Sequence, residues 1–501
     1  MEVWFIFFAS LCVCFSLKSL LNLLSHNKHK PKDLPPGPFS LPIIGNLFWF
    51  RKSFFDLEPL LRNLRTKYGP ILKLQIGSRR LIFITNHQLA HKALIQHGAT
   101  FADRPPPLPM TRIFSSDQHN ISSAAYGPLW RLLRRNITSE ILHPSRVKSY
   151  GHARKWVLQI LINKLRQEAE SGEPVRVVDH LRYVMFCLLV FMCFGDKLDE
   201  KVVRDIENVE RKILLGFRRY NILSLMPRLG KILFRKRWNE VYELHRSRES
   251  VIAPLVRARQ ERGKEETVVC YADTLLDLRL PDGGRKLTTG EMVSLCSEFL
   301  NGGTDTTATA LQWIMANLVK YPNIQAKLLS EIERVVGCGE EIKEEDLQKM
   351  PYLKAVVLEG LRRHPPGHFV LPHAVTEDTK IDGYVVPKKA IVNFMVAEMG
   401  RDPEVWEEPM EFRPERFLGN GDGDQEVFDI TGSREIKMMP FGAGRRICPG
   451  LGLALLHLEY FLANLVREFE WKAVDDVDLS EKLEFTVVMK KPLEAQIFPR
   501  R

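Results

Sequence analysis

Apolar residues recur three and four positions apart around residues 55–67, 87–97, 128–142, 153–168, 180–194, 240–262, 323–337 and 452–466, the spacing of helices that bury one face. Strand-like runs are few. Residues 71–77 and 81–85 are short and β-rich, and Ser78-Arg79-Arg80 between them predicts a hairpin. The pattern predicts a mainly α fold with small β-sheets.

One helix has well-marked ends. Thr288 and Glu291 form a capping box, and Pro322 stops a helix expected to run to about Lys320. Such a helix is ~45 Å long. Inside it lies Asn301-Gly302-Gly303-Thr304-Asp305-Thr306-Thr307, where each glycine weakens the helix by about 1 kcal/mol relative to alanine. Either a second helix packs closely on the glycines, or the missing side chains make room for a flat cofactor and a diatomic ligand. Thr306 lies one turn beyond Gly302 and Gly303 on the same face. In the second case Asp305 and Thr306 supply an acid and a hydroxyl for moving protons.

Residues 3–24 are almost wholly apolar, long enough to span a bilayer core of ~30 Å. Lys28, His29, Lys30 and Lys32 follow, and Glu2 precedes, so the positive-inside rule puts the remainder in the cytosol. No basic stretch precedes the run and no small-x-small site follows it, which argues against a cleaved leader. Leu34-Pro35-Pro36-Gly37-Pro38 then breaks any helix and predicts a stiff elbow. Residues 1–33 are expected to be anchor and basic linker, and 34–501 one large domain, since no long linker, low-complexity block or repeat interrupts them.

The formal charge of +11 suits nucleic acid, an anionic membrane or an acidic protein. The basic clusters are dispersed and lack a zinc-finger or RNP pattern, so no nucleic-acid role is expected. The eight cysteines are scattered without a CxxC pair, as for free thiols in a reducing compartment. Asn120-Ile-Ser122 and Asn136-Ile-Thr138 match the glycosylation sequon and are expected to stay unmodified on the cytosolic side.

Phe441-Gly442-Ala443-Gly444-Arg445-Arg446-Ile447-Cys448-Pro449-Gly450 precedes an amphipathic helix starting near Leu451. A cysteine at a helix start beside two arginines is expected to be stabilised as thiolate, the form a metal requires. The glycines permit tight turns, Phe441 can pack on a macrocycle, and Arg446 can reach a carboxylate. The loop fits neither GxGxxG nor GxxxxGK[ST], so no nucleotide site is assigned.

That loop resembles the haem-binding motif F-x-x-G-x-R-x-C-x-G of the cytochrome P-450 superfamily at Phe441, Gly444, Arg446, Cys448 and Gly450. Four further segments agree in order and spacing. Gly302 to Thr307 resembles the oxygen-activation motif, with Gly302 where alanine is more usual. Glu359 and Arg362 match E-x-x-R, Pro414-Glu415-Arg416-Phe417 the segment that completes its triad, and Trp130 with Arg134 W-x-x-x-R. Pro35-Pro36-Gly37-Pro38 is similar to the elbow of microsomal members, and the whole chain resembles a plant A-type microsomal enzyme of the eighty-ninth family.

The resemblance implies haem b with Cys448 as axial ligand to the iron, and propionates held by Trp130, Arg134, His373 and Arg446. It implies a monooxygenase (oxidoreductase, EC 1.14) that inserts one atom of O2 into an apolar small molecule. No Rossmann or flavin pattern is present, so NADPH enters only through a separate cytochrome P-450 reductase meeting the cysteine-loop face near Lys437 and Arg445. The implied location is the endoplasmic reticulum membrane, single-pass. Glu359, Arg362 and Arg416 are expected to be structural. Residues 105–125, Phe299 and 366–371 are expected to wall the substrate cavity, and residues 211–238 either dip into the membrane or form an amphipathic core element. Hydroperoxide rearrangement and non-catalytic haem carriage are the competing readings, against which Asp305 and Thr306 speak.

Overall fold

The structure is a computed structural model that describes residues 33–40, 45–46, 57–76, 79–220, 223, 233–262, 269–337, 339–419 and 428–500. The expected anchor, residues 3–24, and its basic flank lie outside them. The predicted hairpin forms: after α1 (Leu57–Tyr68), β1 (Ile71–Ile76) pairs antiparallel with β2 (Arg79–Ile84) in the register Ile71 to Ile84. α2 (His87–His91) follows, and its final turn at Lys92–Gln96 widens so that His97 N–H reaches the Lys92 carbonyl.

The next helices are α3 (Pro109–Phe114), α4 (Pro128–Glu140), α5 (Pro144–Ser149) and α6 (Gly151–Ser171), the first three opened by proline at a position where its missing N–H costs nothing. After β3 (Val175–Arg176), α7 (Val177–Phe194) is apolar all round. It is long enough to cross a membrane, but 83% of it is buried inside the protein, so it is the core helix against which others pack.

α8 (Glu200–Tyr220), α9 (Arg235–Arg262) and α10 (Tyr271–Leu276) lead to α11 (Thr289–Lys320). The capping box is present as predicted: Thr288 Oγ1 accepts from Glu291 N–H and Glu291 accepts from Thr288 N–H at 2.8 Å. α8 was not anticipated, although Val203, Ile206, Val209 and Ile213 carry its spacing; its heavily charged outer face obscures the stripe. Within 211–238, Ile213, Leu223 and Trp238 are buried with Met110 and Phe114, whereas Leu215 and Leu233 are exposed.

α12 (Pro322–Val336) and α13 (Pro351–Arg363) precede four short strands, β4 (His373–Ala374), β5 (Thr379–Ile381), β6 (Tyr384–Val386) and β7 (Ile391–Phe394). The main sheet runs β1-β2-β7-β4, with β2 and β7 parallel. Then come α14 (Val396–Gly400), α15 (Leu451–Glu468), β8 (Phe469–Ala473), β9 (Glu481–Leu483), β10 (Val487–Met489) and β11 (Glu494–Pro499). β11 pairs with both β3 and β8, and β9 with β10. Strands this short leave too little period-two signal to stand out from their flanks.

The Pro-Gly elbow is docked rather than free. Lys73 N–H donates to the Pro36 carbonyl at 2.7 Å and Val385 N–H to that of Asp33 at 2.6 Å. A Cβ at Gly37 would lie 2.0 Å from the Lys73 carbonyl oxygen, so only glycine permits this approach to β1.

His457 lies in the core on α15, edge-on to Phe461, with Nε2 unpartnered among the described residues. Burial, with the Arg154 guanidinium nearby, pushes its pKa from 6.5 to about 3. Unfolding therefore takes up a proton below pH 6.5, and stability falls as pH drops from 6.5 towards 3 by about 1.4 kcal/mol per pH unit. In urea titrations at pH 7 and pH 5, His457→Gln is expected to lose less stability on acidification than the parent.

Candidate functional site

Between Glu291 and Val319, α11 is buried except at Glu298, Asn301, Gly302, Gly303 and Thr306. Glu298, Asn301, Gly302 and Thr306 share one stripe of the helix, with Gly303 turned about 100° from Gly302, and on a helix otherwise wrapped in protein this stripe borders a candidate cavity at Gly302. The two glycines divide the alternatives raised by the sequence. A Cβ at Gly303 would stand 2.7 Å from Leu189 Cδ1, so this residue lets α7 pack closely. A Cβ at Gly302 would meet nothing within 4 Å. Gly302 thus borders open space.

The cysteine loop closes by its own main chain. Gly442 and Gly444 both have φ of +69°, a region that disfavours side chains. A Cβ at Gly444 would lie 2.1 Å from the Leu94 carbonyl oxygen. Cys448 N–H donates to the Phe441 carbonyl at 2.9 Å, Ile447 N–H to that of Gly444 at 3.1 Å, and Gly450 then leads into α15.

The two neighbouring arginines do not act on the sulfur as the sequence suggested. Arg445 donates to the Tyr126 hydroxyl, and Arg446 donates to the carbonyls of Ala102 (2.7 Å), Ile121 (3.2 Å) and Ala124 (2.7 Å). The guanidinium that favours the Cys448 anion is Arg134 of α4, together with the Gly450 N–H, and burial outweighs both and pushes the thiol pKa up. The protein by itself holds Cys448 as a thiol, so metal binding must release its proton.

The Arg134 guanidinium has no hydrogen-bond or ion-pair partner among the described residues, and nor has the Trp130 indole N–H. Arg446 lies over the Trp130 ring, 4.4 Å from its centroid, and three bonds to carbonyls leave two of its five N–H donors free. Arg104, which the sequence reading did not single out, donates to the carbonyls of Ser122, Leu371 and Pro372. Burial and repulsion from Arg446 push Arg104 down to about 9. Burial, reinforced by Arg134 and opposed by Asp103, takes Arg446 to about 10. These cations lack sufficient counter-charge. A loop cysteine, the unpaired Arg134 guanidinium, the under-compensated charges of Arg104 and Arg446, and open space at Gly302 fit a flat dicarboxylate macrocycle bound through iron.

His373, expected at a propionate, sits on β4 and donates from Nδ1 to the Phe101 carbonyl at 2.6 Å. Burial, with Arg104 adding to it, lowers its pKa to about 3. It is neutral, and its remaining ring nitrogen is an acceptor, able to meet a carboxylate only by sharing a proton.

The expected triad is assembled, with Glu359 and Arg362 buried and Arg416 partly so. Arg362 grips Glu359 through Nε and Nη2 at 2.7 and 2.8 Å, and Arg416 Nε reaches the same carboxylate at 3.2 Å. Arg362 also donates to the carbonyls of Gly400, Pro409 and Glu411, and Arg416 to those of Glu407 and Glu408. The triad therefore pins the irregular chain between α14 and the cysteine loop. Removing one member of such a buried set costs about 3–5 kcal/mol.

Thr306 Oγ1 donates to the Gly302 carbonyl at 2.7 Å on the accessible stripe. Asp305 faces away from it and is 2% exposed. Its carboxylate accepts from Arg211 at 2.6 Å, Arg182 at 3.3 Å and Thr486 Oγ1 at 2.8 Å. Arg211 reaches on to Glu484 at 3.1 Å, beside the turn between β9 and β10. These partners come from distant parts of the chain, and no local pattern pointed to them. Phe299 is turned into the core against Tyr271, ring centroids 5.2 Å apart, and the neighbouring Glu298 is half-buried on the accessible stripe.

Replacing Gly302 by alanine adds helix propensity without a clash and is expected to stabilise by up to about 1 kcal/mol. Gly303→Ala must displace Leu189 and is expected to gain less or lose stability. Thermal midpoints of the two variants, measured side by side, check this difference.

The cytochrome P450 family model matches residues 35–498. Cytochrome P450 89A9 of Arabidopsis thaliana is 51% identical, covering 99% of this chain and 98% of its own length. Cytochrome P450 98A1 of Sorghum bicolor is 30% identical over 96% of this chain and 94% of itself, and flavonoid 3'-monooxygenase of Arabidopsis thaliana 30% over 98% and 97%. The buried triad, the Cys448 loop and the open stripe of α11 are thus parts of a haem-thiolate monooxygenase, and this chain belongs to the cytochrome P450 family, alongside the eighty-ninth family of plants.

Proposed function

We propose that this enzyme inserts one atom of O2 into an apolar small molecule held between α11 and the cysteine loop. The observation that carries this is the accessible stripe Glu298-Asn301-Gly302-Thr306 on an otherwise buried helix, together with a loop cysteine whose anion is favoured by the unpaired Arg134 guanidinium. Cys448 would ligate the iron, Arg134, Trp130, Arg446 and Arg104 would hold the propionates, and Phe441, Gly442, Gly444 and Gly450 would let the loop approach the ring. When bound there, haem supplies reductive activation of O2, the thiolate favouring O–O cleavage.

The Thr306 hydroxyl, now donating to Gly302, can turn to donate into the cavity. Asp305 would feed protons to it, and because its carboxylate is held by Arg182, Arg211 and Thr486, that transfer requires at least one partner to let go. An apolar substrate is supported by the aromatic series Phe114, Phe217 and Phe485, with successive ring centroids 6.5 and 6.3 Å apart.

Electrons come from NADPH through a flavoprotein reductase docking on the cysteine-loop face, where exposed Arg445 and Lys437 would meet acidic groups. The catalytic domain, from residue 34 onward, stands in the cytosol on a single endoplasmic reticulum anchor within residues 1–33. Exposed Phe39 and Leu233 support contact with that membrane.

Reduction of the purified protein with dithionite under carbon monoxide is expected to give the strongly red-shifted Soret band of thiolate ligation. A histidine-like band, or none, would contradict the role of Cys448. Thr306→Ala, assayed with reductase and a turned-over substrate, is expected to release several-fold more hydrogen peroxide per NADPH consumed; unchanged coupling would remove the role of Thr306.

A further inference from the structure

The loop after α3 has an unusual main chain. Ser116, Asp117 and Gln118 have φ of 48°, 58° and 69°, three successive non-glycine residues in the left-handed region. A run of this kind persists only when surrounding contacts hold it, and such strain concentrates at ligand-binding segments. The contacts are visible. Gln118 N–H donates to Ser115 Oγ at 2.9 Å, Ser116 Oγ to the Gly290 carbonyl at 3.1 Å, and the Gln118 side chain to the Ser123 carbonyl at 2.6 Å.

The next residues are gripped by charge from two sides. Glu298 accepts from Ile121 N–H at 2.8 Å and from Ser122 N–H at 2.6 Å, one carboxylate oxygen to each. From the opposite side Arg104 takes the Ser122 carbonyl at 2.7 Å, and Arg446 takes those of Ile121 and Ala124. Glu298 lies one turn before Gly302 and two before Thr306 on the stripe that opens onto the cavity. Segment 120–124 therefore bridges the distal helix to the cysteine loop and bounds the space between them.

We propose that Glu298 is a positioning residue for the substrate, its carboxylate clamping the strained segment 116–124 so that Ile121 to Ala124 form a fixed wall of the cavity. This rests on the reading that substrate occupies the space between α11 and the cysteine loop. Glu298 touches neither oxygen nor the reacting bond. It acts through the main chain it holds, and it shares that main chain with Arg104 and Arg446, the guanidiniums assigned above to the propionates.

The test uses holoenzyme carrying Glu298→Ala or Glu298→Gln. Amide hydrogen exchange across 116–124 is expected to quicken at least ten-fold in Glu298→Ala and by less in Glu298→Gln, whose amide oxygen still accepts from one N–H, while α15 keeps the parent rate. Binding of imidazole and of 4-phenylimidazole, read from the Soret shift, supplies the second measurement. Imidazole should bind all three proteins within two-fold, whereas 4-phenylimidazole, large enough to press on the wall, should weaken ten-fold or more in Glu298→Ala. Unchanged exchange at 120–124 would overturn the clamp. Faster exchange with an unaltered ratio of the two affinities would overturn the wall. Failure of either azole to shift the Soret band of the parent would overturn the underlying reading of the cavity, a result separate from both.

Discussion

Buried and half-buried guanidiniums bound to main-chain carbonyls hold this site together. A charge removed from water must be surrounded by acceptors, and irregular chain, whose carbonyls are not committed to a ladder, supplies them. Arg362 and Arg416 use carbonyls between Gly400 and Glu411, Arg446 those of Ala102, Ile121 and Ala124, and Arg104 those of Ser122, Leu371 and Pro372. Each arginine fixes a segment that has no secondary structure of its own. The active site can thus be built from loops and still be rigid.

The same burial governs the chemistry. Around Cys448 it raises the thiol and lowers Arg104, Arg134 and Arg446, leaving positive charge that a dicarboxylate cofactor would compensate. Around His373, His364 and His457 it keeps the rings neutral, each with a pKa of about 3. Asp305 shows the opposite solution, a buried carboxylate satisfied by two arginines and a threonine. The site is therefore electrostatically uneven: one acid is fully engaged while several cations are not.

α11 connects these features. It packs on α7 through Gly303, leaves open space at Gly302, presents Thr306 to that space and turns Asp305 towards α7 and α8. Four consecutive roles fall on neighbouring residues because a helix rotates each side chain about 100° from the last. This rotation separates the Asp305 carboxylate from the Thr306 hydroxyl beside it in sequence.

Much was legible in the sequence because it depends on local pattern. The capping box of α11, the hairpin of β1 and β2 and the pairing of Glu359 with Arg362 three residues on all follow from short-range spacing, and the loop ending at Cys448 is a contiguous motif. Which guanidinium faces the sulfur, what Asp305 binds, how Gly302 and Gly303 divide their tasks and why Glu298 rather than Phe299 holds segment 120–124 were decided only in three dimensions. Each depends on partners that lie tens to hundreds of residues away, such as Arg134 for Cys448 and Ser122 for Glu298. Periodicity names a buried face, but only packing determines what that face meets.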